Sequence, residues 1–525
     1  MKHWRSPGLL ALALILATLQ SACRKTYETD GTAPHETEVA FPVFSTEIRV
    51  SELIPNLLSD TLTGDTLIFN TDGSMTLSYA GTLAEKRILD VFKFGDTTLI
   101  VPLYDTVTVY DDTNLPDSLA IRRAKIKSGA TRLIVGKGAA EPTTGRFRVL
   151  EMSKNGVVFE HYFSVPANGN YVSPELDLAG YDLVSNQNRL TYVYEAYTPS
   201  GQRVKYPDVV PGLPSVLAQS IQINYSYLEG YWGYEEYPLD KSRIELDVNK
   251  LELQGDIRIV DPRITFTVEN SFGFPTSGKV KYLRFEGRDG IKRDLESSYI
   301  GPDGAVAYNY PSLAAGQIGQ FVPTVFTFDR SNSNIADIFN SQPVAVEYEV
   351  IGVSNIEKDN SVIGFMTDSS SVRFKVLVEL PLEGSAKNFG ASRQVDVDLG
   401  DLDNLDDTDF TTAELKLVAE NSLPLEAVAQ IRFLDGAGAV LDSLFTGGLG
   451  IVMNAAPVDA QGIVLAPSRT ENFIQLTAER VRQLKLAQKA DIRTFFTTSG
   501  GGTKPVKLLA DQSAIVKMGM KVRLE

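Results

Sequence analysis

A pattern that occurs twice in the second half of the chain most constrains its fold. Glu-Asn-Ser stands at 269–271 and again at 420–422, each time after an apolar run and shortly before a proline. Similar segments follow both times: a strand pattern, a glycine turn, a short helix pattern and further strand patterns. This self-similarity predicts an internal duplication of about 150 residues.

Each copy alternates apolar and polar residues and has turn residues about every ten positions, which predicts a β-sandwich with one short helix. In the second copy, Thr477 is a candidate N-cap and Glu479 stands in the first helical turn. Asn and Ser side chains can bond the backbone where a chain reverses, so Glu-Asn-Ser is interpreted as a structural corner. A ligand role for Glu269 or Asn421 is the alternative.

The predicted fold class is all-β: a multidomain string of Ig-like β-sandwiches whose last two members are the duplicates. Turn residues at Asn70 to Gly73 and at Asn155-Gly156 extend the β pattern to the first half of the chain. The predicted units are a signal peptide (1–22), a disordered tether (23–40), an N-terminal β region (41–117), a β-sandwich that could be a degenerate third repeat (118–245), the first copy (246–382), and an acidic linker with the second copy (383–525).

The N-terminus resembles a bacterial lipoprotein signal. A basic start precedes an apolar run at 9–19, and Ser21-Ala22 precedes Cys23, the only cysteine of the chain. The resemblance implies acylation of Cys23, for example with palmitate, and a stable membrane anchor. Gln20 departs from the pattern, and ordinary cleavage near Ala22 is the alternative. The expected location is the outer membrane, on its periplasmic or extracellular face.

Two further resemblances concern the architecture. The strand followed by Asn, a small residue and Pro looks like the late-embryogenesis-abundant type 14 (WHy) β-sandwich. The order of the signal cysteine, RVSELIPNLL, GYWG, VDPRITFTVENSFGFP and FLDGAGAVLDSL resembles a group of Bacteroidota lipoproteins of similar length. These resemblances imply a localisation and a fold, and no catalytic residue carries over from them.

The densest aromatic stretch, NYSYLEGYWGYEEYPL, is the best candidate for a ligand or partner surface. Exposed rings can stack on sugars while their OH and NH groups bond hydroxyls, although aromatics here could equally fill the joint between two sandwiches. The candidate residues are Tyr225, Tyr227, Tyr231, Trp232, Tyr234 and Tyr237.

An acidic run at 396–410 offers weak calcium ligands in Asp401, Asp403 and Asp406. It does not fit the EF-hand pattern, because position 5 of a loop starting at Asp401 would be Leu405. A solvated linker between the two copies is the other interpretation, and no cofactor is predicted.

The net charge of −16 argues against a nucleic-acid partner. The chain has three histidines and lacks the common hydrolase, zinc-protease and nucleotide-binding motifs. The expectation is a non-enzymatic, lipid-anchored envelope protein that presents a binding or scaffolding surface as an accessory subunit of an outer-membrane assembly, with a protein partner there. The alternatives are a glycan-binding surface lipoprotein and a carrier of an apolar ligand or lipid.

Overall fold

The computed structural model describes residues 37–51, 65–87, 99–104, 106–111, 119–185, 188–238, 242–245, 254–300, 304–396 and 412–524. Regular structure in these ranges is nearly all β-strand, which confirms the all-β fold class. The first strands are β1 (Thr37–Arg49), β2 (Asp65–Phe69), β3 (Met75–Arg87), β4 (Leu99–Pro102), β5 (Val107–Asp111), β6 (Leu119–Val135), β7 (Thr143–Lys154), β8 (Val157–Val165), β9 (Tyr171–Val172), β10 (Leu176–Asp177), β11 (Asp182–Val184), β12 (Arg189–Tyr197), β13 (Arg203–Val204) and β14 (Val216–Trp232).

The remaining strands belong to the duplicated half and the segment before it. They are β15 (Glu235–Pro238), β16 (Ser242–Glu245), β17 (Gln254–Ile259), β18 (Arg263–Asn270), β19 (Thr276–Gly287), β20 (Lys292–Asp294), β21 (Ala305–Tyr308), β22 (Val322–Phe328), β23 (Pro343–Ser354), β24 (Ile363–Thr367), β25 (Ser371–Pro381), β26 (Glu383–Asp396), β27 (Thr412–Asn421), β28 (Leu425–Leu434), β29 (Val440–Ser443), β30 (Gly450–Met453), β31 (Ser468–Thr477), β32 (Lys489–Thr498), β33 (Val506–Lys507) and β34 (Ser513–Leu524). The helices described over their full length are α1 (Ile335–Asn340) and α2 (Ala478–Lys485).

Strands β4–β14 and β24 form a twelve-stranded sheet, called here the first sandwich. Its central path runs β13-β12-β7-β11-β6-β14-β24, which is not the order that the duplicated units share. Alternate residues of β7 and β12 face one apolar core, where the rings of Phe147 and Tyr192 stack with centroids 6.2 Å apart. The apolar residues of the alternating pattern therefore face the core, and the polar residues between them face solvent.

The two copies have the same strand order, which confirms the predicted duplication. In copy 1 (263–381) one sheet runs β3-β25-β18-β22 and the other contains β23-β19-β20 with β21 beside β19. In copy 2 (383–524) the corresponding paths are β1-β34-β27-β31 and β32-β28-β29 with β30 beside β28. Each element from β18 to β25 thus has its counterpart from β27 to β34, and α1 and α2 occupy the same place in this order.

Helix α2 begins where the sequence predicts. The Thr477 side-chain oxygen accepts a hydrogen bond from the Arg480 amide at 3.3 Å, and Glu479 lies in the first turn. This bond satisfies one of the amides that a helix start leaves without an intrahelical partner.

Strands from the N-terminal part complete both copies. β1 pairs with β34, with Thr37 opposite Leu524, and β3 pairs with β25. The last strand of each copy would otherwise present an unpaired edge. The predicted N-terminal β region (41–117) is therefore divided among three sheets, since β4 and β5 join the first sandwich.

The copies also share segments with each other. β17 lies within the predicted range of the first copy but pairs with β26 in copy 2. Met75 stands on β3, which pairs with copy 1, while its side chain lies in the buried core of copy 2. β26 already belongs to a sheet of copy 2, whereas residues 397–411, which carry most of the acidic run, lie outside the described residues.

Candidate functional site

The aromatic stretch lies where the first sandwich meets copy 1. Trp232, the last residue of β14, is 3 % exposed and stacks on Phe274 of copy 1 with ring centroids 4.9 Å apart. Phe272, Phe274 and Met366 of copy 1 lie in the same buried cluster as the core of the first sandwich. Trp232 therefore fills this joint, and its ring has no free face for a sugar.

The five tyrosines of the stretch are half-buried, and several make specific contacts. The Tyr227 hydroxyl donates to Glu229 at 2.6 Å, and the Tyr231 hydroxyl donates to Asn360 at 2.7 Å. Tyr225 packs against the core of the first sandwich. The structure thus brings the predicted residues together along the joint, but it does not present them as a row of open rings.

Tyr234 is held by charged neighbours. Its hydroxyl donates to Glu236 and accepts from Lys279 at 2.8 Å, and the Lys358 ammonium lies 4.8 Å from the ring centroid. The Lys279 ammonium and the Tyr234 hydroxyl lower the pKa of Glu236, while hydrogen bonds to Glu236 and Tyr234 raise the pKa of Lys279. This arrangement links β15 to β19 at the rim of the joint.

A cavity of about 60 Å³ lies between the two sheets of copy 1, next to the joint. Tyr237 closes one side, and burial raises the pKa of its phenol to about 12, against a hydrogen bond to Ser354 that lowers it. Burial likewise raises the pKa of Tyr308, on β21 of the same sheet. The walls are Lys86, Tyr237, Asn270, Phe272, Phe274, Thr276, Ser277, Tyr308, Gly352, Val353, Ser354, Val372 and Phe374.

The two Glu-Asn-Ser corners are structural. Asn270 and Asn421 are each 0 % exposed, and each side-chain oxygen accepts the backbone amide two residues on, at 2.9 and 2.8 Å. The Asn421 amide donates to the carbonyls of Leu423, Leu425 and Asn454 at 2.7–3.1 Å. Glu269 forms an ion pair with Lys375 at 2.6 Å. These contacts occupy the side chains that a ligand would need.

Cys23 and the calcium candidates Asp401, Asp403 and Asp406 lie outside the described residues. In the part of the chain that the structure describes, no three His, Cys, Asp or Glu side chains are grouped to hold a metal ion. Among those same residues, no helix has the length and apolar character needed to cross a membrane.

One surface of the first sandwich was not predicted from the sequence. Arg146 donates to Glu195 at 2.6 Å and to Glu160 at 3.4 Å across three neighbouring strands. On β8, beside this network, Val157 is 70 % exposed and Tyr162 is 69 % exposed. The sequence of β8, VVFEHYFSV, alternates as a half-buried strand does, but the exposure of its side chains depends on which strands cover it.

Comparisons with known proteins show no family. No family model and no curated protein matches the chain. Among solved structures, an inferred secreted protein from Parabacteroides distasonis is 14% identical with a TM-score of 0.28, over 57% of this chain and 89% of that one. A mutant VP2 protein of infectious bursal disease virus is 8% identical with a TM-score of 0.14, over 90% of this chain and 83% of that one. At these TM-scores the likeness gives no basis for assigning a function.

Proposed function

We propose that the protein is a lipid-anchored, non-enzymatic envelope protein that presents the first sandwich to a protein partner, as an accessory subunit of an outer-membrane assembly. The anchor is Cys23, and the tether that starts there leads into β1, which begins at Thr37, within the range predicted as tether, and pairs with copy 2. The observation that carries the proposal is the exposed apolar character of strand β8.

Strand β8 has the features of a recognition edge. Among the described strands it pairs with β7 alone, over residues 157–165, so its other edge can accept an extended segment of a partner. It contains neither Lys nor Pro, the residues that commonly protect an edge strand. Val157 and Tyr162 are the two most exposed large apolar side chains in the described part of the chain. Such side chains at an open edge favour a protein partner.

The strand pairings support a scaffold role. The first sandwich is joined to copy 1 through β24 and through the Trp232–Phe274 stack, and copy 1 is joined to copy 2 through the core position of Met75. The connections therefore run from copy 2, which receives the tether, through copy 1 to the first sandwich. A partner held by the first sandwich would thus be linked through copy 1 and copy 2 to β1, the first described strand after the proposed tether.

The glycan alternative is not proposed further, because the ring best suited to sugar stacking, Trp232, is buried in the joint. The apolar-ligand alternative has a specific observation in its favour, the cavity between the sheets of copy 1.

The test is cross-linking and pull-down from native membranes with four proteins: wild type, Cys23→Ala, Val157→Glu and Leu465→Glu. Leu465 is the matched control, since it is 67 % exposed and lies in copy 2. A partner cross-linked to β8 should be retained by Leu465→Glu and lost by Val157→Glu, because a carboxylate at the edge disrupts apolar contact.

Two outcomes would contradict parts of the proposal separately. If Cys23→Ala stays on the membrane like the wild type, the lipid anchor is wrong. If Val157→Glu keeps every cross-linked partner, the β8 surface is wrong, whatever the anchor does.

A further inference from the structure

We propose that strand β8 pairs with β8 of a second copy of this chain, so that the first sandwiches of two molecules join into one continuous antiparallel sheet. This inference rests on the proposed β8 surface and names its partner, while it does not depend on the lipid anchor. It is carried by the open edge of β8 and by the order of the residues along this strand.

The outer edge of β8 has unpaired backbone groups. Among the described residues, 157–165 form backbone hydrogen bonds with no segment other than β7. The core face of the strand is covered, since Tyr181 packs on Phe159 and Tyr171 packs on Phe163, with ring centroids 5.6 and 5.8 Å apart. β8 is therefore a fully formed strand whose N–H and C=O groups on one side can take a further strand.

Other end strands of this chain are protected against such pairing, and β8 is not. β1 and β22 each end a sheet path, and they contain Pro42 and Pro323. β1 also has a register shift at Pro42. In the β7–β8 ladder the extra residues lie on β7, between Val149 and Ser153, so β8 itself is uninterrupted. Proline and bulges commonly prevent edge-to-edge association, and β8 has neither.

The residues of β8 read nearly the same in both directions. His161 stands in the middle of VVFEHYFSV, with Phe159 and Phe163 two positions away and Val157 and Val165 four positions away. A two-fold axis at His161 pairs all nine residues of β8 with the second copy. Each phenylalanine then lies beside a phenylalanine of the other core face, and each terminal valine beside a valine. A symmetric dimer needs this kind of self-complementary patch.

The same register is favourable on the outer face of the sheet. It places Glu160 opposite Tyr162 of the second copy, so that a phenol hydroxyl can donate to a carboxylate. Glu160 is the only acidic or basic residue of β8 besides His161, and Arg146 of the neighbouring strand lies 3.4 Å from it. An axis at Glu160 would instead set two carboxylates directly against each other, which is destabilising. Tyr162, 69 % exposed in the single chain, becomes covered in the proposed register.

The first experiment places single cysteines on β8 of the full chain, in a Cys23→Ala background that removes the only other thiol. Val158 and Ser164 are exposed and lie opposite each other across the proposed interface. Each lies about 20 Å from its own equivalent, at ~3.3 Å for each residue along a strand. We expect an interchain disulfide when Val158→Cys and Ser164→Cys are mixed and oxidised with diamide. Neither variant alone should form one, since the two Cα atoms must lie within about 7 Å.

The second experiment measures self-association of the Cys23→Ala chain by sedimentation equilibrium. We expect a concentration-dependent dimer, and Tyr162→Glu should raise its dissociation constant about tenfold, because two pairs of carboxylates then face each other across the axis. Tyr104→Glu is the matched control, since Tyr104 is 55 % exposed and lies outside β8. This control should associate like the parent chain.

The outcomes separate this inference from the proposed function. A monomer at every concentration, no disulfide in the mixture, or equal disulfide formation in either variant alone would overturn the β8 dimer. If the mixture forms no disulfide while Val157→Glu still loses a partner from membranes, the second copy is not that partner and the β8 surface stands. If the disulfide forms only in the mixture and Val157→Glu keeps every other protein, the dimer stands and the accessory-subunit role of β8 falls.

Discussion

Copy 1 and copy 2 share every strand of their common order, yet their interiors differ. At the third pair of the central strand ladder, copy 2 has Phe496 opposite Ala427 and packed in the core, whereas copy 1 has Gly352 opposite Gly278, beside the cavity. Copy 1 also gives β24 to the sheet of the first sandwich, while its counterpart β33 pairs with β26 inside copy 2. Copy 1 thus connects the other two units and contains the cavity, and copy 2 receives the strand that follows the tether.

The comparison shows which features a duplicated sandwich must keep. The corner asparagines keep two hydrogen bonds in both copies. The side-chain oxygen accepts the amide two residues on, and the side-chain amide donates to a carbonyl, that of Asn309 for Asn270 and that of Asn454 for Asn421. Buried polar groups that lose their partners cost more than apolar volume that changes gradually. The polar corners were therefore retained while core side chains diverged.

The largest expected effect is at these corners. Asn421→Ala and Asn270→Ala should each lower the free energy of unfolding by about 4 kcal/mol, because several buried backbone groups lose their partner. Denaturant unfolding measures both. Asn472→Ala is the control, since the Asn472 side-chain amide donates to the Ile451 carbonyl, at 2.8 Å, at an exposed site. A large loss in only one copy would show that the corners are not equivalent.

The next effect concerns the core difference. Phe496→Gly should lower the free energy of unfolding by about 3 kcal/mol, because it removes a packed ring and leaves a cavity in copy 2. The reverse change, Gly352→Phe, should be near neutral, since the ring enters existing space. Thermal unfolding of both variants beside the wild type tests this asymmetry. Similar losses in both would show that the cavity of copy 1 cannot accept a ring.

A smaller effect is expected in alkali. The pKa of Tyr237 is raised to about 12, whereas a phenol in an unfolded chain titrates near ~10. At a pH below the pKa of the unfolded chain, the Tyr237 phenol is protonated in both the folded and the unfolded state. Between the two pKa values, this phenol ionises only in the unfolded chain. Stability should therefore fall as pH rises from about 10 to 12.

Tyr237→Phe should reduce that alkaline loss, because it removes the titrating group. Urea midpoints at neutral pH and near the upper end of the range measure the difference between the two proteins. The control is Tyr197→Phe, since Tyr197 is an exposed tyrosine of the first sandwich. An equal alkaline loss in wild type and Tyr237→Phe would rule out this residue as the cause.

The smallest effect is expected in acid, at the hairpin of copy 1. Hydrogen bonding to Arg293 lowers the pKa of Asp289 to about 2, below its usual value near ~4. The ionised Asp289 carboxylate stabilises the folded chain at pH values above the usual pKa of aspartate. This contribution to stability is lost as pH falls toward 2. Asp289→Asn should flatten the acid end of the stability curve slightly, as urea midpoints at low pH would show. Because the pair is exposed, a large effect would contradict this account.

Much of the fold could be predicted from the sequence. Alternating residues, turn residues such as Asn70 to Gly73, and the recurrence of Glu-Asn-Ser predicted an all-β chain with a duplicated unit. Thr477 was predicted as an N-cap because capping depends on residues a few positions apart. The candidate site was only partly predictable: the stretch around Trp232 was located, but whether it faces solvent or a joint was left open.

The sequence by itself determined the strands, the turns, the helix start and the repeat, because these depend on neighbouring residues. Only the tertiary structure decided that β1 and β3 complete sheets of distant strands, that Trp232 is buried against Phe274, and that Gly278 pairs with Gly352 on the neighbouring strand, beside a cavity. Gly278 and Gly352 are far apart in the chain, and their effect arises from pairing. Side-chain exposure and empty volume are properties of such long-range pairing, which local sequence patterns do not encode.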